Sequence, residues 1–128
     1  MVDTKQFAVK ILMSAIYYAS TQLAEMDDAF KQKLAGIDTV IQWKVEPNGP
    51  NNYLVIKNSK IEVKMDSIAD NPNYTIVLTN TDIALNLFRG QIKVEKAIKN
   101  GKIKVIGDLN EAMKQMFIFE ELTHYLTD

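Results

Sequence analysis

The chain has no cysteine and a single histidine, His124. Without thiols it can form neither disulfide bonds nor thiolate metal sites, and it has no cysteine nucleophile. His124 has no second histidine to complete a metal site and no cysteine to complete a catalytic pair. The residue types therefore indicate no metal site and no cofactor, and we expect the protein not to be an enzyme.

An excess of charge of one sign is also missing. Fifteen basic residues face 16 acidic ones, which gives a formal net charge of −1 at pH 7. The lysines are spread along the chain, whereas binding to nucleic-acid phosphates needs clustered cations. Nucleic acid is therefore not expected as a partner.

Long apolar runs are absent too. The most apolar stretch, residues 7–19, includes Lys10, and it is shorter than the roughly 20 residues that a membrane-spanning helix needs. The N-terminal residues lack the basic region of a secretory signal, and the C-terminal Leu-Thr-Asp is not a peroxisomal address. We expect a cytoplasmic protein whose contact with membranes is at most transient.

The apolar content is nevertheless sufficient for a core. With 128 residues, of which 47% are hydrophobic, residues 1–128 are expected to form a single domain. Asp3 or Thr4 can cap a first helix that is apolar on nearly all sides. Such a helix is either sandwiched in the core or shared with another subunit, so a homodimer through this helix could form. Asp27-Asp28 then start a shorter helix that Gly36 ends.

From residue 39 the spacing of the apolar residues changes from the period of a helix to the two-residue period of a strand. Ile41, Trp43 and Val45 alternate with polar residues, which predicts a strand with one wet face. Residues 53–57 and 60–65 read as the next two strands, with a reversal at Asn58-Ser59, so the three strands form an antiparallel meander.

The second half of the chain alternates short strands with capped helices. The expected order is a strand over 74–79, a helix capped by Asn80 or Thr81 and stopped by Gly90, another helical turn or two before Asn100, a strand over 102–106, and a last helix opened by Asp108 or Asn110. The fold class is thus α+β, with a five-stranded, mostly antiparallel sheet that helices cover on one face.

These motifs resemble, in type and order, the lipid-binding domain of the sterol carrier protein 2 family. The resemblance covers roughly residues 39–116 and is carried by the Trp43 strand, Tyr74-Thr-Ile-Val-Leu, the helix ending at Gly90, and Gly101-Lys-Ile-Lys-Val-Ile-Gly-Asp. Asn58-Ser59 stands where relatives commonly have an Asp-Gly turn. The resemblance implies an apolar tunnel that holds a fatty acid, acyl thioester, phospholipid, isoprenoid or sterol without catalysis.

If the resemblance holds, the tunnel lies between the C-terminal helices and the sheet, and the ligand's polar head stays near a mouth at Arg89, Lys93 or Lys96. The lining would then be Ile76, Leu78, Ile83, Leu87, Phe88, Ile98, Ile103, Val105, Met113, Met116 and Phe117.

Other interpretations stay open. Methionine and aromatic residues at helical spacing are more often plain core than a ligand site, and composition alone favours that interpretation. The domain could also be an accessory module that presents a lipid substrate to partner enzymes. A transferase is a third interpretation, against which the chain's short length and its lack of convergent catalytic residues speak.

Overall fold

The structure, a computed structural model, describes residues 3–127, and the side chains of residues 123 and 125–127 lie outside this description. Within that range the chain forms six helices and five strands. In chain order these are α1 (Thr4–Met26), α2 (Asp28–Lys33), β1 (Thr39–Val45), β2 (Asn51–Lys57), β3 (Lys60–Lys64), β4 (Tyr74–Leu78), α3 (Thr81–Phe88), α4 (Val94–Lys99), β5 (Ile103–Gly107), α5 (Leu109–Lys114) and α6 (Met116–Thr127).

The strands form one sheet in the order β3-β2-β1-β4-β5. The pairs β1–β2, β2–β3 and β4–β5 are antiparallel, so the predicted meander and the predicted fold class are confirmed. The β1–β4 pair is parallel, with Trp43 opposite Ile76. The sheet is therefore mixed, because β4 returns beside β1 in the same direction after the β3–β4 loop.

The core lies on the sheet face that carries Ile41, Trp43 and Val45. Helix α1 packs against α2, α3, α6 and β3, and its buried residues include Val9, Met13 and Tyr17. The indole of Trp43 contacts rings from three helices: Tyr17 of α1 at 6.2 Å between centroids, Phe88 of α3 at 5.9 Å and Phe119 of α6 at 5.7 Å. Trp43 thus joins the sheet to three helices.

The alternation predicted that the second face of β1 is exposed to solvent, and the structure differs at Gln42. Gln42 is only 1% exposed. Its amide nitrogen donates to the carbonyl oxygens of Asn52 and Ser67 at 3.1 and 3.2 Å, and its oxygen accepts from the backbone N–H of Ala69 at 2.7 Å. The prediction was wrong here because the loop after β3 folds back over Gln42 and satisfies its polar atoms.

Most predicted helix starts are confirmed by side-chain caps. Asp3, Asp27, Asn80 and Asp108 each accept a hydrogen bond from a backbone N–H in the first turn of the helix that follows. The single last helix that the sequence predicted is instead two helices, because α5 ends at Lys114, with Gln115 as its C-cap, and α6 begins at Met116. This junction becomes important below.

The β2–β3 turn contains a strained residue. Asn58 and Ser59 have φ of 53° and 59°, a geometry in which the second position favours glycine. A side chain in this left-handed region costs roughly 1–2 kcal/mol. Ser59→Gly should therefore raise the free energy of unfolding by about 1 kcal/mol, after the greater chain entropy of glycine is subtracted.

Chemical denaturation measures this difference, and Gly101→Ser is the opposite control. Gly101 has a φ of 76°, and a Cβ added to it would meet no heavy atom within 4 Å, so the substitution adds conformational strain without a clash. We expect it to destabilise the protein. An unchanged or lower stability of Ser59→Gly would contradict this account of the turn.

Candidate functional site

A small cavity lies inside the core, between α1, the sheet and the α5–α6 segment. Its volume is about 30 Å³, whereas pockets for small molecules usually measure about 300–1,000 Å³. The tunnel expected from the sequence is therefore not open at this cavity. The lining is formed by Ile16, Tyr17, Ser20, Ile41, Trp43, Leu54, Tyr74, Ile76, Gln115, Met116, Ile118, Phe119 and Leu122.

An apolar cleft of about 290 Å³ opens on the other side of α1 and α6. It is lined by Ala15, Ile16, Ala19, Gln22, Leu23, Met26 and Leu122. Ile16 and Leu122 line both the cleft and the interior cavity. These two side chains therefore form part of the wall that separates the cavity from the open cleft.

The hinge between α5 and α6 is fixed to the sheet by a buried polar chain. The Tyr74 hydroxyl donates to Gln115 Oε1 at 2.6 Å, and Gln115 Nε2 donates to Glu111 Oε1 at 2.6 Å. Burial, and secondarily the negative charge of Glu111, raise the pKa of Tyr74 above its ordinary value. The hydroxyl therefore stays protonated, and able to donate, beyond the pH at which an exposed tyrosine ionises.

Two further polar groups of the lining lack partners. The Trp43 indole N–H and the Tyr17 hydroxyl are buried and form no hydrogen bond among the described residues. Burial raises the pKa of Tyr17, and the nearby Asn52 side chain offsets part of that rise, although the contact lacks hydrogen-bond geometry. Tyr17 and Trp43 are 2% and 4% exposed, so bulk water does not satisfy these groups.

Helix α6 is held by side chains rather than by backbone pairing. Phe117 contacts Phe30 of α2 at 6.3 Å between ring centroids, and Phe119 contacts Trp43. Glu121 forms an ion pair with Lys33, whose side chain is 52% exposed. Since exposed ion pairs contribute only about 0–1 kcal/mol, apolar packing is the main force that holds α6 in place.

The structure brings only part of the predicted tunnel lining to the cavity. Ile76 and Met116 line it, while Leu78, Leu87, Phe88 and Ile103 are buried in the core. Ile83, Ile98, Val105 and Phe117 pack against that core, and Met113 is half-buried. Leu87 and Phe119 also line a second cleft, of about 300 Å³, together with Lys93. Lys96 lines a further cleft, again with Lys93.

Sequence reasoning missed the contribution of α1 and β1 to the lining. Ile16 and Tyr17 come from the buried face of α1, and Trp43 comes from the inner face of β1. The apolar excess of α1 was a usable signal, since one helix face is enough for the core.

Metal ligands do not converge in the described part of the chain. Within residues 3–127, no group of three or more histidine, aspartate or glutamate side chains is placed to hold a metal ion. Over the same range, no helix is both long enough and apolar enough to cross a membrane.

The fold is a small α+β domain in which helices cover one face of a mixed five-stranded sheet. The sequence model of the SCP-2 sterol transfer family matches residues 21–120. The chain belongs to this family, which confirms the resemblance seen in the sequence. No curated protein matches the chain by sequence.

Solved structures share the fold at low sequence identity. Sterol carrier protein 2 from Yarrowia lipolytica in its apo form has a TM-score of 0.70 and 15% identity, with 96% of each chain covered. The ubiquinone synthesis protein UbiJ-SCP2 has a TM-score of 0.57 and 16% identity, with 93% of this chain and 91% of that chain covered. Palmitated SCP2L2 from Aedes aegypti has a TM-score of 0.53 and 19% identity, with coverage of 76% and 90%.

The same fold also occurs as a small part of a larger enzyme. The sec-alkylsulfatase Pisa1 from Pseudomonas sp. matches with a TM-score of 0.54 and 23% identity over 70% of this chain. This chain covers only 14% of the sulfatase. The likeness is therefore one of fold within a region of that enzyme.

The Tyr74–Gln115 bond yields a stability prediction. Tyr74→Phe leaves the buried Gln115 oxygen without its donor, so the free energy of unfolding should fall by about 1–3 kcal/mol. Urea denaturation measures the loss. Tyr53→Phe, at a half-buried position of β2, is the matched control and should change stability by less than about 0.5 kcal/mol. If the two variants lost equal stability, the Tyr74–Gln115 bond would not be what holds the break between α5 and α6 on the sheet.

Proposed function

We propose that the protein binds a hydrophobic ligand, without catalysis, in a space that opens between α6, α1 and the sheet. The observation that carries the proposal is the shared wall formed by Ile16 and Leu122. When Leu122 moves outward with α6, the interior cavity and the apolar cleft join. The joined space reaches the size range of small-molecule pockets.

Helix α6 is suited to be the moving wall. It follows a helix break at Gln115, so it can pivot there while α5 stays on the sheet. Its packing against the core includes apolar contacts, with Phe117 on Phe30 and Phe119 on Trp43, and a hydrocarbon can replace such contacts.

Burial of the ligand supplies the binding energy. Each methylene removed from water contributes about 0.8 kcal/mol, so a 16-carbon chain offers on the order of 12 kcal/mol. The cost of ordering the ligand and of separating α6 from the core is subtracted from this sum. A micromolar affinity then remains without any charged or catalytic group in the site.

The opened space takes its lining from two sets of residues. Ile76 and Met116, which were expected from the sequence, already face the cavity, and Ile16, Trp43 and Leu122 join them. The remaining predicted residues pack around this space. We propose that they contact the ligand once the space has opened.

The relatives support a lipid as the ligand. Family membership brings the expectation of lipid or sterol transfer, and the mosquito relative is described as palmitated. A long acyl or isoprenoid chain fits the largely apolar lining of the cleft. A cytoplasmic location, expected from the sequence, completes this proposal.

Native mass spectrometry of the protein as purified, followed by organic extraction, tests the proposal. We expect a co-purifying lipid in near-stoichiometric amount. Met116→Trp should lower its occupancy severalfold, because the larger side chain fills the space beside Ile76. Ile68→Trp, at a residue 56% exposed and outside the lining, is the control and should leave occupancy unchanged.

A thermal melt of each variant shows whether its fold is retained. Absence of any lipid from the wild-type protein, together with failure to take up added palmitate or hexadecane, would contradict the proposed function.

A second candidate role is that of an accessory module that associates with a partner. The outer face of α1 favours it, because this face stays apolar and exposed although the opposite face is buried. Phe7 and Ile11 are each 53% exposed, Tyr18 is 67% exposed and Met26 is 80% exposed. The family member UbiJ-SCP2 is described as a ubiquinone synthesis protein, which is compatible with such a role.

We assign this outer face to a second copy of the chain. A large side chain has on the order of 200 Å² of surface, so these four residues expose roughly 500 Å² in each copy. Two such faces meet the approximately 1,000 Å² that a specific interface needs. The small exposed residues Ala15 and Ala19 lie between the large ones, which lets two helices cross closely.

Gel filtration over a concentration series measures the association. We expect a dimer that dissociates on dilution, and Tyr18→Glu should shift the protein to monomer because it places a charge in the interface. Ile68→Glu adds the same charge at an exposed residue of the β3–β4 loop, outside α1, and should leave the dimer intact. A wild-type protein that stays monomeric at high concentration would rule out a dimer through α1.

A further inference from the structure

Cationic side chains are concentrated in one short segment, although the chain as a whole is nearly neutral. Six of the 15 basic residues, but only one of the 16 acidic residues, lie in residues 89–104. The formal charge of this segment is +5, and that of the remaining chain is −6. The segment runs from the end of α3 through α4 into β5. The charge of the protein is therefore strongly polarised.

The fold brings three of these cations to one cleft. Lys93, Lys96 and Lys102 are exposed and line a cleft of about 370 Å³. None of the three forms an ion pair with a described residue. The other lining residues are all uncharged: Gln91, Ile92, Ala97 and Asn100. We call this site the basic cleft.

Local structure explains why the three lysines share the cleft. Lys93 is the N-cap of α4, and Lys96 follows it by three positions, a spacing that makes residues neighbours on a helix. The backbone N–H of Lys102 donates to the carbonyl oxygen of Ala97 at 2.9 Å. This bond holds the chain just before β5 against α4, so that Lys102 joins the two lysines of the helix end.

The basic cleft calls for an anionic partner. Like charges that are held together repel one another and lower the stability of the compact state. The single acidic residue of the segment, Glu95, does not line the cleft, and an external anion would relieve the repulsion. Because ammonium groups on flexible stems impose no fixed geometry, they suit a partner whose phosphates are mobile.

A bilayer fits these observations better than a nucleic acid does. Nucleic-acid-binding domains usually have a pI above about 9, whereas the pI of this chain is about 5.8. Residues 89–104 contain no aromatic residue on which the bases of a single strand could stack. Clusters of about four to eight lysines and arginines are instead typical of segments that bind anionic lipid headgroups.

We propose that the basic cleft docks the domain onto a bilayer that contains anionic phospholipids, with headgroup phosphates next to Lys93, Lys96 and Lys102. The docking is peripheral and salt-sensitive, since it rests on exposed charges. It concerns a surface of the protein and is separate from the proposed binding of a hydrophobic ligand inside the fold.

Docking in this orientation brings α6 close to the bilayer. The cleft of about 300 Å³ that contains Leu87 and Phe119 shares Ile92 and Lys93 with the basic cleft. Phe119 belongs to α6, the wall that we propose to move. The docking surface is therefore adjacent to the place where a hydrocarbon chain would enter.

Co-sedimentation with vesicles tests the docking. We expect the protein to bind vesicles of equal amounts of phosphatidylcholine and phosphatidylglycerol, and to bind vesicles of phosphatidylcholine alone far more weakly. The bound fraction should fall as salt is added, because salt screens the attraction.

The double variant Lys93→Glu/Lys96→Glu should weaken binding to the anionic vesicles at least about thirtyfold, since each lysine near an anionic surface contributes about fivefold. Negative charge is favourable at the start of a helix, so we expect α4 to form in the variant, and a thermal melt checks this.

Lys57→Glu/Lys60→Glu is the matched control, because it changes the net charge equally at two exposed positions of the β2–β3 turn. The strands β3 and β5 are the opposite edges of the sheet, about 19 Å apart at the usual strand spacing. This distance exceeds the screening length of about 8 Å at physiological salt. The control should therefore lower the affinity less than about threefold.

Three results would overturn the proposal. They are equal binding to both kinds of vesicle, equal losses in the two double variants, and a DNA duplex that binds at the same salt as tightly as the anionic vesicles do. Native mass spectrometry separates the docking from the proposed function. A wild-type protein that docks but neither contains nor takes up lipid would leave the docking intact and refute the proposed function.

Discussion

The packing of helices onto Trp43 is the contact on which the remaining structure depends. This indole lies on the central strand β1 and contacts aromatic rings from α1, α3 and α6. Phe88 and Phe119 also contact each other, with 5.5 Å between their ring centroids. One aromatic cluster therefore fixes three helices on the sheet. The interior cavity beside it measures only about 30 Å³, so room for a guest molecule must come from the movement of an element that contacts this cluster.

Helix α6 meets that requirement with the least structural loss. The side chains that it presents to the core are apolar, and the Tyr74–Gln115 bond holds the helix break just before it. Hydrocarbon can replace the contacts that α6 gives up, because dispersion and burial are not directional.

Local signals in the sequence predicted the elements well and the site less completely. Asn80 and Asp108 act as caps through their own side chains, and the alternation of β1 follows from backbone geometry. A short stretch of sequence is therefore enough to predict these elements. The burial of Gln42 and the helix break at Gln115 depend on segments distant in sequence: the loop after β3 and the Tyr74 hydroxyl. The wall formed by Ile16 and Leu122 joins residues that are more than a hundred positions apart, and no local pattern indicates such a pairing.

The position of α6 relative to the sheet tests the central claim most directly. Because the chain has no cysteine, Lys57→Cys on β2 and Glu120→Cys on α6 would carry spin labels specifically. Pulsed electron paramagnetic resonance then gives the distance between them with and without bound lipid. We predict that the distance lengthens on loading and returns when the lipid is extracted. Full lipid occupancy at an unchanged distance would contradict the account.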